Sequence, residues 1–247
     1  DVGGHHTVDG RRVRRGLLYR SVVLDTATEQ DLATLAEVGV RTVFDLRTSA
    51  EVERRPDQVP PGATYVHVDL LTDSGEVDPA VYFKLMQDPP RASVELAGDA
   101  SERFYLATYR DLVRLPSARA GYARLFRVLA DDEARAGLIH CTTGKDRTGW
   151  AVASLLLFLG VSPDTVMRDY LVSDAEVRRA YQSVFDDFVA RGGTREVIEP
   201  MMSVKPSYLD EAIESMHADF GSIDGYFDVG LGLTPDVRDR LRAAFLE

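Results

Sequence analysis

The chain has 247 residues, of which 45% are hydrophobic and 28% charged, and its formal net charge is −11. This composition predicts one globular domain spanning residues 1–247 and excludes a disordered or fibrous chain. The acidic balance argues against general binding to nucleic acid or to an anionic membrane surface, because such binding depends on basic residues. The single cysteine, Cys141, excludes a disulfide framework and a structural zinc site.

Short apolar runs alternate with helical stretches in the first 160 residues, which is typical of an α/β fold. The runs that we interpret as strands are residues 16–19, 42–46, 64–70 and 137–140. They predict a central, mostly parallel sheet of about four to five strands that is flanked by helices. Thr28 followed by Asp31 has the spacing of a helix N-cap and predicts a helix after the first strand. Residues 72–100 are acidic and weakly periodic, and we predict a loop or a mobile insertion there.

The last third of the chain is predicted to be helical. Ser162-Pro163 indicates one helix start, and Ser173 with Glu176 has the spacing of a capping box that would begin another helix. Pro206 and Thr234-Pro235 indicate two more helix starts. We expect the helices of residues 174–230 to pack as core or to form a lid over a site.

The segment between the fourth strand and the following helix is the most informative part of the sequence. It reads His140-Cys141-Thr142-Thr143-Gly144-Lys145-Asp146-Arg147-Thr148-Gly149. Sites in α/β sheets lie at the carboxyl ends of strands, and the N-terminus of a helix offers N–H groups and a positive dipole end to an anion. These groups, together with Lys145 and Arg147, should also favour the thiolate form of Cys141. The guanidinium of Arg147 can bind two phosphate oxygens at once.

This segment has two other interpretations. A lone cysteine is more often an inert core residue than a reactive one. A Gly-Lys pair also occurs in nucleotide-binding loops, but such a loop requires Ser or Thr after the lysine and a glycine five residues before the second one. Those positions hold Asp146 and Ile139, so the nucleotide interpretation fails.

The segment resembles the active-site loop of the cysteine-dependent phosphatases, in which Cys and Arg are separated by five residues and followed by Ser or Thr. The longer pattern from His140 to Gly149 is similar to the bacterial tyrosine/serine phosphatase family. Segments along most of the chain are similar to the same family, namely residues 1–4, 16–21, 44–48 with Glu51, and 205–209. The chain departs from the family at its start, because no Asn-x-Arg precedes the Asp-x-Gly-Gly.

The resemblance implies a two-step phosphoryl transfer that requires no metal or other cofactor. Cys141 would attack phosphorus, and water would then hydrolyse the phosphocysteine. Arg147 would bind the phosphate with the loop residues Thr142, Thr143, Gly144 and Lys145. His140 would hold the cysteine backbone, and Thr148 would donate its hydroxyl to the sulfur.

The general acid has several candidates. The resemblance favours Asp146, which lies inside the loop and can protonate the leaving oxygen. Asp69 or Asp73, which follow the third strand, are the alternatives. The resemblance also makes Asp45 a buried support for the loop, and it pairs Arg47 with Glu51.

A phosphorylated protein is the expected partner, with phosphotyrosine as the main target and phosphoserine or phosphothreonine as further ones. Lys145 suits a substrate with more than one phosphate, such as a phosphoinositide, or it only neutralises the acidic cleft. A phosphate-binding module without activity is an alternative from another class. A sulfurtransferase or arsenate reductase would need partner cysteines that this chain lacks.

No secretory signal or membrane-spanning segment is visible, since the most apolar run, residues 151–159, is about half the ~20 residues that a transmembrane helix needs. We expect no stable membrane insertion. The protein is expected to be a monomer, and either cytoplasmic or exported without a signal in this sequence.

Overall fold

A four-stranded parallel sheet forms the centre of the molecule. The structure is a computed structural model, and it describes residues 1–74 and 84–247. The strands are β1 (Leu18–Ser21), β2 (Thr42–Asp45), β3 (Thr64–His67) and β4 (Gly137–His140), arranged in the order β1-β4-β2-β3. All three strand pairs are parallel, which confirms the predicted α/β class.

The register of the sheet brings the ends of three strands together. His140 at the end of β4 lies opposite Ser21 of β1 on one side and Asp45 of β2 on the other. Strand β4 is therefore interior, and the residue that follows it, Cys141, leaves the sheet at its centre. This is the position at which α/β sheets generally hold their ligands.

Helices account for most of the remaining chain. They are α1 (Glu29–Glu37), α2 (Ser49–Arg54), α3 (Pro89–Glu95), α4 (Ala100–Arg114), α5 (Pro116–Leu129), α6 (Arg147–Phe158), α7 (Pro163–Ala190), α8 (Arg195–Met202), α9 (Pro206–Phe220) and α10 (Pro235–Phe245). A short turn of helix, Ile223–Gly225, and a π-helical segment, Tyr226–Gly230, precede α10. Within residues 1–74 and 84–247, none of the helices combines the length and apolarity needed to cross a membrane.

The predicted helix after β1 is confirmed. The Thr28 hydroxyl accepts a hydrogen bond from the Asp31 backbone N–H, and the Asp31 carboxylate accepts one from the Thr28 N–H. This reciprocal arrangement satisfies two N–H groups that have no partner within the helix. A local sequence signal was sufficient here because both partners belong to one helical turn.

Two expectations about irregular and helical segments were wrong. The predicted loop at residues 72–100 contains helix α3, which begins after Asp88, whose side chain accepts from the Arg91 N–H. Residues 75–83 of that predicted loop lie outside the described residues. The capping-box spacing of Ser173 and Glu176 starts no helix, because α7 runs without interruption from Pro163 to Ala190.

The two faces of the sheet are covered unequally. Val43 and Leu138 point to one face and pack in a small cluster beneath α1. Phe44 and Ile139, the next residues along the same strands, point to the other face and join the main core formed with the large helices. The main core includes Trp150 of α6, whose indole N–H donates to the Tyr226 hydroxyl at 3.1 Å.

Candidate active site

The loop from Cys141 to Asp146 connects β4 to α6, and it lies at the carboxyl end of an interior strand of the sheet. Cys141 is 1% exposed. Gly144 has a φ of +68°, and a Cβ at this position would lie 2.2 Å from the Ser21 carbonyl oxygen. Only glycine therefore fits where the loop turns against the end of β1. The Arg20 guanidinium fixes the same turn by donating to the Gly144 carbonyl at 2.7 Å.

The backbone of this loop has hydrogen-bond donors to spare. The N–H groups of residues 142–146 donate to no acceptor within the part of the chain that the structure describes. Buried N–H groups are almost always paired, so a row of unpaired donors next to a helix N-terminus is suited to bind an anion. The loop thus has the donor arrangement that the sequence predicted for a phosphate site.

Arg147 is held by a carboxylate from a distant part of the chain. Its Nη1 and Nη2 atoms lie 2.6 and 2.8 Å from the two oxygens of Glu51, and the Thr142 hydroxyl donates to the same carboxylate. Burial raises the pKa of Glu51, but the charge and hydrogen bonds of Arg147 outweigh it and hold that pKa well below its usual range. Glu51 also caps α2, because its carboxylate accepts from the Thr48 N–H at 2.8 Å.

Arg47 does not pair with Glu51, so that expectation was wrong. Arg47 is 1% exposed, and its Nη2 lies 2.6 Å from Asp45 Oδ2 and 2.9 Å from Asp57 Oδ2. The reason is the strand geometry, since Asp45 and Arg47 lie two residues apart and face the same side of the chain. Asp45 is fully buried, as expected of a support for the loop.

His140 lies between this charged cluster and the cysteine. Its Nδ1 is 3.0 Å from the Cys141 carbonyl oxygen, and its Nε2 is 3.1 Å from Asp57 Oδ2. Asp57 also accepts a hydrogen bond from the Leu24 N–H at 2.9 Å. Sequence reasoning missed Asp57, because it lies in an irregular segment and belongs to no motif.

The side chains of Asp45, Asp57 and His140 are the one set of three metal-ligating groups found close together in the described ranges, with their atoms within 4.8 Å of one another. The Arg47 guanidinium already contacts both carboxylates and supplies the positive charge. The cluster is therefore better explained as a buried ion-pair network than as a cation site.

We expect Asp45 to make the stability of the fold depend on pH in the acid range. Burial alone would raise the pKa of Asp45. Hydrogen bonds from Arg47 and the proximity of His140 outweigh this effect and lower the pKa to about 2. Because the folded pKa lies below the unfolded one, the stabilisation is complete above the unfolded value of about 4 and is lost as the pH falls towards 2. Denaturant titrations of the wild-type protein between these limits measure this loss.

The matched variants are Asp45→Asn and Asp186→Asn, since Asp186 is an exposed helical aspartate bonded only to Gln182 in the described chain. Asp45→Asn should lower the free energy of unfolding at neutral pH by about 3 kcal/mol, because it leaves buried charges without a partner. It should also flatten the acid dependence, which Asp186→Asn should leave unchanged. An equal acid dependence in both variants would contradict the assignment.

Asp146 is the candidate acid that faces the site. It lines the same cavity as Arg147, and its side chain is 16% exposed. Asp69 accepts hydrogen bonds from Ser49 and the Leu71 N–H, and Asp73 accepts from Ser117. These two side chains hold loops and helix ends in place, and neither lines the cavity.

Lys145 is buried rather than directed towards solvent. It is 1% exposed, and its ammonium donates to the carbonyls of Pro200 and Ser203, which lie at the end of α8. The ammonium also lies 4.3 Å from the centre of the Tyr105 ring. Burial lowers the pKa of Lys145, although nearby Asp146 opposes this shift. Lys145 therefore ties the loop to a helix of the predicted lid.

Two further observations concern the predicted lid. The Tyr181 hydroxyl of α7 donates to the Thr142 carbonyl at 3.0 Å, and Met201 of α8 lines the cavity. Helices α7 and α8 therefore contact the loop that follows Cys141. Tyr208 of α9, by contrast, is fully buried and stacks on Tyr105 at 5.4 Å, so this part of residues 174–230 belongs to the core.

The remaining loop residues differ in their surroundings. Thr142 and Thr143 line the cavity. Thr148 is buried in the first turn of α6, and its hydroxyl has no hydrogen-bond partner in the described chain, Cys141 Sγ included. The expected contact between this hydroxyl and the sulfur is thus not formed in this structure.

The cavity above the loop has a volume of about 150 Å³. Its polar lining comes from the loop and from Arg47, Thr48, Glu51, Arg54, Arg55 and Thr108. Its apolar walls come from elements on opposite sides of the site: Val23, Ala50, Leu71, Phe104 and Met201. The cavity thus combines an anion-binding floor with walls suited to an apolar group such as an aromatic ring.

The fold and this loop together define a class of protein. A central parallel strand leads to a cysteine, five loop residues lead to an arginine at a helix N-terminus, and the arrangement is that of a cysteine phosphatase. The chain belongs to the tyrosine phosphatase family, whose sequence model matches residues 1–247. It is therefore a hydrolase of the protein-tyrosine-phosphatase type, as the loop pattern indicated.

Individual relatives agree with this assignment. A protein of Cupriavidus necator that is named as a tyrosine-protein phosphatase is 34% identical over 92% of this chain and 78% of its own length. The triple specificity protein phosphatase PtpB of Mycobacterium tuberculosis is 30% identical over 95% of this chain and 92% of its own. A tyrosine-protein phosphatase of Nostoc commune is 27% identical over 62% of this chain and 47% of its own.

Proposed function

We propose that the protein removes phosphate from phosphotyrosine side chains of proteins, and from phosphoserine or phosphothreonine more slowly, through a phosphocysteine on Cys141. The observation that carries this proposal is the convergence of Arg147 and Asp146 on one cavity, whose floor is the loop that follows Cys141 and whose N–H groups at residues 142–146 are unpaired in the described chain. A nucleophile, an anion clamp and an acid are the groups that phosphate monoester hydrolysis requires.

In the first step, the Cys141 thiolate attacks phosphorus and an S–P bond forms while the bond to the leaving oxygen breaks. Asp146 gives its proton to that oxygen, so tyrosine leaves as the neutral phenol. In the second step, water attacks phosphorus and passes a proton to Asp146, and the S–P bond breaks to return the thiolate. Because the transition state is loose, positioning and charge neutralisation by Arg147 and the loop N–H groups supply most of the rate.

Supporting roles follow from the contacts around these groups. Glu51 would orient Arg147, because both of its oxygens contact the guanidinium. His140 would fix the Cys141 backbone through the carbonyl contact. The buried hydroxyl of Thr148 would turn towards the sulfur as charge returns to it in the second step. The phosphate would bind to the N–H groups of residues 142–146.

The apolar walls of the cavity favour phosphotyrosine over a phosphoinositide. The Lys145 ammonium is not available to a second phosphate, because it donates to two carbonyls at the end of α8, so a headgroup with several phosphates would depend on Arg54 and Arg55, which also line the cavity. The apolar walls formed by Leu71, Phe104 and Met201 are suited to the phenyl ring of phosphotyrosine. The name of PtpB refers to triple specificity, and it makes the wider substrate range worth testing here.

The test is a substrate panel with the intact wild-type enzyme at matched concentrations. The panel contains a phosphotyrosine peptide, the same peptide with phosphoserine, and a phosphoinositide in mixed micelles, and phosphate release is measured. We expect kcat/KM for phosphotyrosine to exceed that for phosphoserine at least about tenfold, because the apolar walls contact only the ring. A rapid denaturing quench with radiolabelled peptide should place the label on Cys141.

Each alternative has its own outcome in the panel. Faster turnover of the phosphoinositide would establish the lipid as the substrate class. Phosphate binding without turnover of any substrate between about pH 5 and about pH 8 would identify a binding module instead. Turnover without a labelled Cys141 intermediate would contradict the proposed mechanism.

A further inference from the structure

Two buried tyrosines lead from the core of the protein to Asp146. Tyr109 of α4 is fully buried, and its hydroxyl donates to Asp146 Oδ1 at 2.9 Å. The hydroxyl of Tyr170, on α7, lies 2.6 Å from the Tyr109 oxygen. A phenol hydroxyl has one hydrogen, and that of Tyr109 is used in the hydrogen bond donated to Asp146. The hydrogen between the two tyrosines therefore belongs to Tyr170, and the chain of donors runs from Tyr170 through Tyr109 to Asp146.

The two oxygens of Asp146 have different surroundings. The Lys145 ammonium lies 3.5 Å from Oδ1, the same oxygen that accepts from Tyr109. Oδ2 has no hydrogen bond to any residue in the described ranges. One oxygen is thus held by groups of the protein interior, and the other is left for a group in the cavity that Asp146 lines.

We propose that Tyr109 and Tyr170 form a positioning pair, which holds Oδ1 of Asp146 so that Oδ2 carries the proton given to the leaving oxygen. This inference rests on the proposed function, in which Asp146 is the general acid. Tyr109 and Tyr170 are not themselves proton donors in the reaction. When Asp146 releases its proton from Oδ2, the new negative charge is stabilised at Oδ1 by Tyr109 and Lys145.

The physical case for the pair depends on its burial. Hydrogen bonds in series strengthen one another, and they are stronger where water is excluded. Burial and the neighbouring Asp146 charge raise the pKa of Tyr109 well above its ordinary value, so its hydroxyl remains a donor at neutral pH. The ring of Tyr109 also packs against Tyr170 in an edge-on arrangement, which fixes the hydroxyl in place.

The test uses Tyr109→Phe, which keeps the ring and removes the hydroxyl. Activity is measured on two aryl phosphates, 4-nitrophenyl phosphate with a good leaving group and phenyl phosphate with a poor one. A poor leaving group needs the acid, whereas a good one departs largely without it. We expect kcat/KM for phenyl phosphate to fall about tenfold, which is the rate factor that corresponds to one lost hydrogen bond to a charged group. For 4-nitrophenyl phosphate, kcat/KM should fall less than about twofold.

Three companion variants make the result specific. Tyr170→Phe should produce a smaller loss, about threefold, with the same dependence on the leaving group. Tyr226→Phe removes another fully buried hydroxyl, which accepts from Trp150, and should show no such dependence. In an Asp146→Asn background, Tyr109→Phe should have no further effect, because the two side chains act as one unit.

An equal loss for both aryl phosphates would assign Tyr109 a purely structural role and overturn the proposal. A loss from Tyr109→Phe that persists in the Asp146→Asn background would overturn it as well, and so would an unchanged activity. If Asp146→Asn alone shows no dependence on the leaving group, the acid assignment within the proposed function fails, and the proposal about the tyrosines fails with it. The two failures are distinguishable, because that of the acid assignment is measured on Asp146→Asn alone and that of the tyrosine proposal on variants that carry Tyr109→Phe.

Discussion

Replacement of Cys141 by serine is expected to abolish phosphate release while the protein stays folded. Serine is close in size, so the buried position of the side chain is preserved. Its hydroxyl is not ionised at neutral pH, whereas a thiol ionises readily at a helix N-terminus. We expect kcat on a phosphotyrosine peptide to fall at least about 10⁴-fold.

The measurement combines phosphate release with thermal unfolding and peptide binding. Cys141→Ser should unfold within a few degrees of the wild-type protein and should still bind the phosphopeptide. Because the chain has one cysteine, alkylation by iodoacetate reports on Cys141 alone. Alkylation of the wild-type protein should proceed with loss of activity, and inorganic phosphate should slow both. Activity of Cys141→Ser within tenfold of the wild type would place the nucleophile elsewhere.

Replacement of Arg147 by lysine should have the second-largest effect. Arg147 contacts both oxygens of Glu51 and donates to the Leu46 carbonyl at 3.3 Å, and these contacts set the plane of its guanidinium. A lysine ammonium cannot contact Glu51 and two phosphate oxygens in a planar arrangement. We expect kcat/KM to fall about 10³-fold, a loss of transition-state stabilisation of about 4 kcal/mol.

The control is Arg240→Lys, a change of the same type on α10. Arg240 is half-exposed and pairs with Asp236 one turn away, so this change should alter kcat/KM by less than about twofold. Inorganic phosphate should inhibit Arg147→Lys more weakly than it inhibits the wild type. If kcat/KM of Arg147→Lys stays within tenfold of the wild type, the loop N–H groups rather than the guanidinium bind the phosphate.

The agreement between sequence and structure is best where the partners of a residue are close in the chain. The Thr28 cap, the fourth strand and the loop from Cys141 to Arg147 each depend on contiguous residues. Their geometry follows from dihedral preferences and hydrogen bonds within one or two turns. For this reason the candidate nucleophile and anion clamp could be predicted from the order of the residues alone.

The partner of Arg147 shows why other parts of the site could not be predicted. Glu51 is 96 positions away from Arg147, and its pattern with Thr48 identifies it only as a helix cap. The family resemblance implied Arg47 as its partner, but Arg47 turns into the interior to meet Asp45 and Asp57. Which of two arginines reaches a carboxylate depends on how β2 and β4 are paired.

Helix α7 illustrates the same limit at the level of secondary structure. The spacing of Ser173 and Glu176 is a valid local signal for a helix start, yet both residues lie inside one long helix. The Asp174 carboxylate accepts from the Val204 N–H at 2.7 Å, and Val177 packs in the core. These tertiary contacts favour a continuous helix over a local cap.

The sequence alone showed the single cysteine, its place between a strand and a helix, and its spacing to Arg147. The class of chemistry followed from these three features. The tertiary structure decided which groups surround those residues: Glu51 on Arg147, Asp57 on His140, the helix carbonyls on Lys145, and Tyr109 on Asp146. The reason is physical. A loop that binds an anion is specified by local backbone geometry, whereas the charges and hydroxyls around it meet only when distant helices pack against the sheet.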